Sequence, residues 1–168
     1  RAGGDHLAAS LDYAEAEGPK HNWAYWAAKG VRLAQGGTPN GAEALEEATI
    51  LLPQGANGPA FLALPNHYVI RRYNNSVSYA LAIGLTADGI MGKPGLTKAW
   101  PNDPSMSRDQ RIGAQRALTR LGYDTQGVDG VIGTNTRAAL RRWQIANGRI
   151  ADGYLTAALA DELIRKAG

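Results

Sequence analysis

Ser107-Arg108-Asp109-Gln110 opens a segment that passes through Leu121-Gly122-Tyr123 and continues into two turns that echo each other, Val128-Asp129-Gly130-Val131-Ile132 and Ala151-Asp152-Gly153-Tyr154-Leu155. The first four residues are a capping box, a serine hydroxyl for the third helical N–H and a glutamine reaching back. The helix they start carries Ala114, Leu118 and Leu121 on one face and stops at Gly122, which accepts the left-handed C-cap conformation. A second helix is predicted from near Thr134 or Thr136 to Asn147-Gly148, another stop signal, and a third from about Leu155 to Lys166. In each echoing turn Asp-Gly bends the chain tightly, a branched apolar residue enters the core, and a threonine (Thr134, Thr156) can cap the next helix. The expectation is an all-α three-helix unit over residues 107–168, built on a short internal repeat and plugged by Trp143. Burying ~200 Å² of that indole at ~25 cal/mol/Å² is worth at most about 5 kcal/mol.

N-terminal to this unit the chain changes character. Gly92-Lys93-Pro94-Gly95 and Trp100-Pro101-Asn102-Asp103-Pro104 are too rich in Pro and Gly for a continuous helix or central strand. Residues 93–106 therefore read as a linker, with a separate domain over 1–92. In that domain Asn22 can cap a helix extending to Ala34 with Trp23, Trp26, Ala27 and Val31 at amphipathic spacing. Three short runs have strand character, Ala48–Leu52, Ala60–Leu64 and His67–Tyr73, and predict an antiparallel meander. Asn74 or Asn75 can then cap a helix from near Ser76 to Ile90, a cap worth roughly 0.5–2 kcal/mol. Gly84 inside that helix costs about 1 kcal/mol relative to Ala, which argues for close packing at that point. The fold class expected is α+β: a small meander with helices, then the three-helix unit.

Composition excludes several functions. The hydrophobic share of 44% is ordinary for a folded domain. The most apolar stretch, Tyr79–Ile90, is far shorter than the roughly 18 residues a membrane span needs, so no transmembrane segment is expected. The chain has no cysteine, which removes disulfides, thiolate metal sites and thiol nucleophiles. It begins at Arg1 without an initiator Met or signal-like segment, as a processed or excised piece of a longer protein would. Net charge is unevenly placed: from 107 onward ten Lys/Arg face six Asp/Glu, whereas residues 1–106 carry eight against nine. His6, His21 and His67 lack metal-ligand spacing, so no metal is expected. Glu43, Glu46 and Glu47 would share a helical face as a solvated cluster rather than a catalytic one, and Glu15 and Glu17 are two apart and would not face each other.

The residues Gln115, Leu118, Leu121-Gly122-Tyr123, Asp129-Gly130-Val131-Ile132-Gly133, Thr136-Arg137-Ala138-Ala139-Leu140, Trp143-Gln144, Gly148 and Asp152-Gly153 resemble, in order and spacing, the peptidoglycan-binding domain that accompanies many cell-wall hydrolases. A second resemblance precedes it. Ile50–Leu62, Pro65-Asn66-His67-Tyr68-Val69-Ile70, Arg72-Tyr73-Asn74-Asn75-Ser76 and Tyr79-Ala80-Leu81-Ala82, with Trp26–Val31, are similar to the end of the catalytic domain of membrane-bound lytic murein transglycosylase B. The resemblance implies a partial lysozyme-like catalytic domain and an enzyme that splits the MurNAc–GlcNAc bond without water, leaving a 1,6-anhydro product. It also implies a single catalytic glutamate, in a Glu-Ser/Thr-x-Phe-Gly motif, in place of the usual carboxylate pair. This chain contains no such motif, and its one Phe is Phe61. The chain thus reads as the C-terminal portion of such an enzyme, with no catalytic residue of its own and inactive by itself.

What the resemblance carries over is Tyr73, Asn74 and Tyr79 as residues lining the glycan cleft, where an amide can orient a carboxyl or acetamido group and phenols can bond or stack on sugars. Tyr123, Asp129 and Arg137 are the candidates for a peptidoglycan groove in the C-terminal unit. No cofactor is implied. The expected partner is peptidoglycan, both glycan strands and stem peptides, met by a monomer in the periplasm or envelope of a Gram-negative bacterium. Two other readings of the residues stand beside this one. One is a free-standing wall-binding or scaffold protein. The other is a nucleic-acid-binding helix over Thr134–Asn147 with Arg137, Arg141, Arg142 and Gln144, against which the small net charge and the acidic turns count.

Overall fold

The computed structural model describes residues 13–168 and divides into two compact units, Arg1–Trp100 and Pro101–Gly168. His6 lies outside the described residues. In the first unit a 3₁₀ turn, Tyr13–Glu15, precedes α1 (Trp23–Ala28), α2 (Gly41–Leu45), β1 (Thr49–Leu51), a second 3₁₀ turn (Gly55–Asn57), β2 (Phe61–Ala63), α3 (Pro65–Tyr73) and α4 (Val77–Ile90). The second unit holds α5 (Arg108–Arg120), α6 (Thr134–Ala146) and α7 (Ala157–Lys166).

Asn22 caps α1 as expected, its side chain accepting from the Tyr25 N–H. The helix ends at Ala28, short of the predicted Ala34, because Gly30 at φ +87° turns the chain back. Val31 is nevertheless fully buried. Trp26 anchors this corner: its indole N–H reaches both the His21 carbonyl (3.1 Å) and the Ala48 carbonyl (2.9 Å), beside the antiparallel bridge between those two residues. The shared helical face predicted for Glu43, Glu46 and Glu47 does not form, since α2 stops at Leu45 and Glu46 is already extended.

Strands β1 and β2 pair antiparallel, with Thr49 opposite Ala63 and Leu51 opposite Phe61. Both faces are covered. Ile50, Leu52, Leu62 and Leu64 join Trp23, Trp26 and Val31 in one cluster, while Leu51, Phe61 and Ala63 join Leu81 of α4 in another. Period-two alternation along each strand therefore feeds two cores, which is why every position there is buried and all but Thr49 are apolar.

The third strand of the expected meander is absent: His67–Tyr73 lies in α3. Pro65 occupies the first helical turn, where its missing N–H costs nothing and its fixed φ favours the helix, and this outweighs the strand propensity of Tyr68, Val69 and Ile70. The asparagines are not the cap of α4 either. Ser76 caps it, accepting from the Tyr79 N–H, while Asn74 ends α3 and Asn75 accepts from Arg71. Gly84 is not closely packed; a Cβ there would meet nothing within 4 Å. Part of the predicted linker belongs to this unit, as Leu96 packs on the second cluster and Trp100 stacks on Phe61.

In the second unit both capping-box bonds of Ser107 and Gln110 are present. Ala114, Leu118, Leu140, Trp143, Leu155 and Leu163 form its core, and Trp143 is 2% exposed. Thr156 caps α7 as expected, but α6 starts behind Gly133 with no side-chain cap, and Thr136 is turned into the interior. The apolar plugs of the two turns are Ile132 and Leu155, whereas Val131 is exposed.

The turns constrain their glycines unequally. Gly153, at φ +66°, has no room for a Cβ, which would lie 2.9 Å from the Arg137 carbonyl oxygen. Gly148, at φ +64°, has open space. Both alanine variants carry a left-handed penalty of about 1–2 kcal/mol. Gly153→Ala adds a backbone clash, and urea unfolding will place it at least 1 kcal/mol below Gly148→Ala.

Candidate functional site

In the first unit the corner between α3 and α4 sets the geometry. Asn74 leaves α3 in extended conformation (φ −138°, ψ 111°), its carbonyl accepting from the Ser76 N–H at 2.7 Å. With Ser76 capping α4, Tyr73 on the last turn of α3 and Tyr79 on the first turn of α4 come face to face, ring centroids 6.5 Å apart and 29° from parallel. Tyr73 is 87% exposed and Tyr79 37%. The pair forms a solvent-facing aromatic surface with the Asn74 amide between them in sequence.

Next to this corner lies a cleft of about 310 Å³. Phe61, Leu64, Leu81 and Ile70 supply apolar lining; Glu43, Glu46, Asn66 and His67 supply polar groups. Ile70 and Ala80 belong to the lining, while Tyr73, Asn74 and Tyr79 stand outside it. The His67 Nε2 is buried without a hydrogen-bond partner. Burial, with the nearby Arg71 charge, holds that imidazole below the usual histidine range and so neutral at pH 7. Among the described residues no group of three or more His, Asp or Glu is placed to hold a metal ion.

Farther toward the N-terminus, Glu15 accepts from the Tyr25 hydroxyl (2.9 Å) and pairs with Lys29 (2.9 Å). The Lys29 and Tyr25 bonds lower its pKa, and the same carboxylate raises those of Lys29 and Tyr25. The group ties the 3₁₀ turn to α1 and is structural.

The second unit presents a groove, again of about 310 Å³, lined by Gln115, Thr125, Gln126, Asp129, Val131 and the start of α6. Its organising residue is Gln115, 1% exposed. The Gln115 Oε1 accepts from the Gly130 N–H (2.8 Å), and Nε2 lies 3.1 Å from Asp129 Oδ1, the Val131 carbonyl and Thr136 Oγ1. The same device recurs at the second turn: Gln144 Oε1 accepts from the Gly153 N–H (2.9 Å) and Nε2 donates to Asp152 (2.8 Å). In both, the Asp carboxylate also accepts from the N–H two residues on, Val131 or Tyr154. The bonds from Gln115 and Val131 hold the Asp129 carboxyl below the usual range.

Of the three residues named from the sequence for this groove, only Asp129 lines it. Tyr123 packs against the helical core, and Arg137 lies outside the lining. Sequence reasoning missed the two glutamines as turn holders. The available signal was a long amide on the apolar side of a helix, Gln115 beside Ala114 and Leu118 and Gln144 beside Trp143, each followed by an Asp-Gly pair.

The profile of the transglycosylase SLT domain matches residues 5–88, half of the chain, and that of the peptidoglycan binding domain matches residues 107–163. The chain belongs to the SLT transglycosylase family. This SLT-family chain is also similar to SltB3 from Pseudomonas aeruginosa, at 44% identity over 95% of its residues. Two crystal structures of SltB3 match, one with NAG-anhNAM-pentapeptide (TM-score 0.87) and one with NAG-NAM-pentapeptide (TM-score 0.88). The chain covers 43% of SltB3's length. No curated protein matches it. Among the described residues no helix is long and apolar enough to cross a membrane.

Gln115→Leu keeps the volume but strands the buried Gly130 N–H, so it will lower stability by about 1–3 kcal/mol in urea unfolding. Because Gln115 is the largest cause of the Asp129 shift, the Asp129 carboxyl, followed by NMR, will titrate closer to the ordinary aspartate value of 3.8 in this variant. The sign follows from a depressed folded-state pKa: the stabilisation is complete above that ordinary value and is lost as pH falls through the folded one. Gln115→Leu will diminish that acid limb, leaving the part due to the Val131 N–H.

Proposed function

We propose that this chain is the C-terminal portion of a lytic murein transglycosylase, in which residues 1–92 complete the catalytic domain and residues 107–168 hold peptidoglycan. The observation that carries it is the 44% identity, over 95% of the chain, to a protein crystallised with both a NAG-NAM-pentapeptide and its anhydro counterpart. The reaction assigned to the whole protein is non-hydrolytic cleavage of the MurNAc–GlcNAc bond, giving 1,6-anhydromuropeptides. The glutamate that would give and then take back the proton is not among these residues, since no Glu-Ser/Thr-x-Phe-Gly segment occurs. Alone, the chain binds and does not cleave.

Tyr73, Asn74 and Tyr79 are proposed as one wall of the glycan cleft. Their solvent-facing stack supports this, because two phenol rings offer a sugar both an apolar face and hydroxyl partners. The Asn74 side chain is proposed to bond an acetamido group or the catalytic carboxyl. In the second unit the groove beside Asp129 is the proposed seat of the stem peptide; Tyr123 and Arg137 remain candidates for its surroundings. Tethering by this unit raises the effective concentration of glycan at the catalytic domain. A periplasmic or envelope location and a monomeric state belong to the same proposal.

The test is a pull-down of the chain with purified sacculi and with duplex DNA. Retention on sacculi that persists at moderate salt is expected. DNA binding that fades steeply with salt, with no sacculus binding, would favour the basic-helix reading instead. Release of 1,6-anhydromuropeptides by this chain alone would overturn its inactivity. Replacing Tyr73 by Ala, at an 87% exposed position, will leave the melting temperature within a degree or two and weaken NAG-NAM-pentapeptide binding by about threefold to tenfold in calorimetry, a loss on the scale of one aromatic contact.

A further inference from the structure

Pro94-Gly95 and Pro101 bracket a short segment whose anchors come at every second residue. Leu96 packs against the cluster formed by Leu51, Phe61, Ala63 and Leu81. Lys98 reaches across 42 positions to donate from Nζ to the Ala56 carbonyl at 2.9 Å. Trp100 lays its indole on the Phe61 ring, centroids 5.7 Å apart and planes 26° from parallel. The segment bends at Thr97 and Lys98, and the side chains of Leu96, Lys98 and Trp100 are all held against the first unit. A free linker would have no such pattern.

Phe61 connects this segment to the cleft. It is 1% exposed, sits on β2, and contributes to the cleft lining together with Ile70 of α3 and Gly84 of α4. Trp100 is 42% exposed, so it is a brace on the core rather than part of it. We propose that Leu96–Trp100 is a strap that sets the shape of this cleft, with Trp100 as a positioning residue that acts on a bound ligand only through Phe61. Docking of the strap and occupancy of the cleft are then reciprocal: whatever favours one favours the other. That the occupant is a muropeptide extends the function proposed above, whose glycan wall at Tyr73, Asn74 and Tyr79 stands beside this cleft and outside its lining, and rests on it; the bracing of Phe61 does not.

The test uses the full 168-residue chain with labelled Ile methyls and backbone amides, the variants Trp100→Ala and Trp100→Phe, and NAG-NAM-pentapeptide as probe. Trp100→Ala is expected to shift the Ile70 methyl and Gly84 amide signals and to weaken probe binding about threefold to tenfold. Trp100→Phe, which keeps a stacking ring, is expected to restore both, a rescue that general loss of stability would not give. Lys98→Ala, which loosens the strap without touching an aromatic ring, will shift the same two signals in the same direction by less. Unchanged Ile70 and Gly84 signals in Trp100→Ala would overturn the strap whatever the probe does. If the unmodified chain fails to bind the probe, the muropeptide reading fails, and those two signals alone decide the strap.

Discussion

A buried primary amide organises the C-terminal unit. Gln115 sits where an apolar residue would otherwise fill the space between α5 and the first Asp-Gly turn, and its two ends meet the donor and acceptors that the turn exposes. A turn carries backbone groups with no ladder to join, and burying them unpaired would cost roughly 1–3 kcal/mol each. The glutamine lets the turn lie against the helix, which in turn lets Ile132 reach the core and α6 start where it does. Gln144 does the same for the second turn and α7. Arginines reinforce both: Arg111 donates to the Gly130 carbonyl at 2.7 Å and Arg141 approaches that of Asp152 at 3.4 Å. The basic excess of this unit is thus partly spoken for by its own backbone, which weakens the case for a nucleic-acid surface.

The N-terminal unit solves a different problem. Two three-residue strands cannot stand alone in water, and they persist here because each face meets its own cluster. Trp26 ties the start of the chain to the hairpin through one N–H shared by two carbonyls, and α3 follows β2 without a loop because Pro65 can begin a helix directly. The consequence for the site is positional. The last turn of α3 and the first turn of α4 are joined by only three residues, so Tyr73 and Tyr79 are forced together at the corner.

The family, the order of the two domains and most helix ends were legible in the chain itself. They are written in local chemistry: a serine and glutamine three apart, glycines after apolar faces, Asp-Gly pairs before threonines. Candidate residues were legible only as far as the resemblance reached. Tyr73 and Tyr79 do come together, whereas of Tyr123, Asp129 and Arg137 only Asp129 lines the groove. Nothing in the spacing of 123, 129 and 137 says which of them a helix turns toward the core.

Tertiary structure decided the remainder, each time by a contact distant in sequence or a competition between neighbours. His67–Tyr73 has strand-forming residues, but Pro65 and the packing of α3 on α4 make it helix. Asn74 and Asn75 are good caps, yet Ser76 takes the role because the corner leaves Asn74 bound to α3. The segment 96–100 looks unstructured by composition, but Phe61, thirty-nine positions earlier, gives Trp100 a surface to lie on. Sequence alone determined β1, β2 and the helices α4 to α7, in type and order, through propensity and capping. Which polar groups are buried, and which aromatic rings meet, depended on pairing across the chain, and such pairing has no local signature.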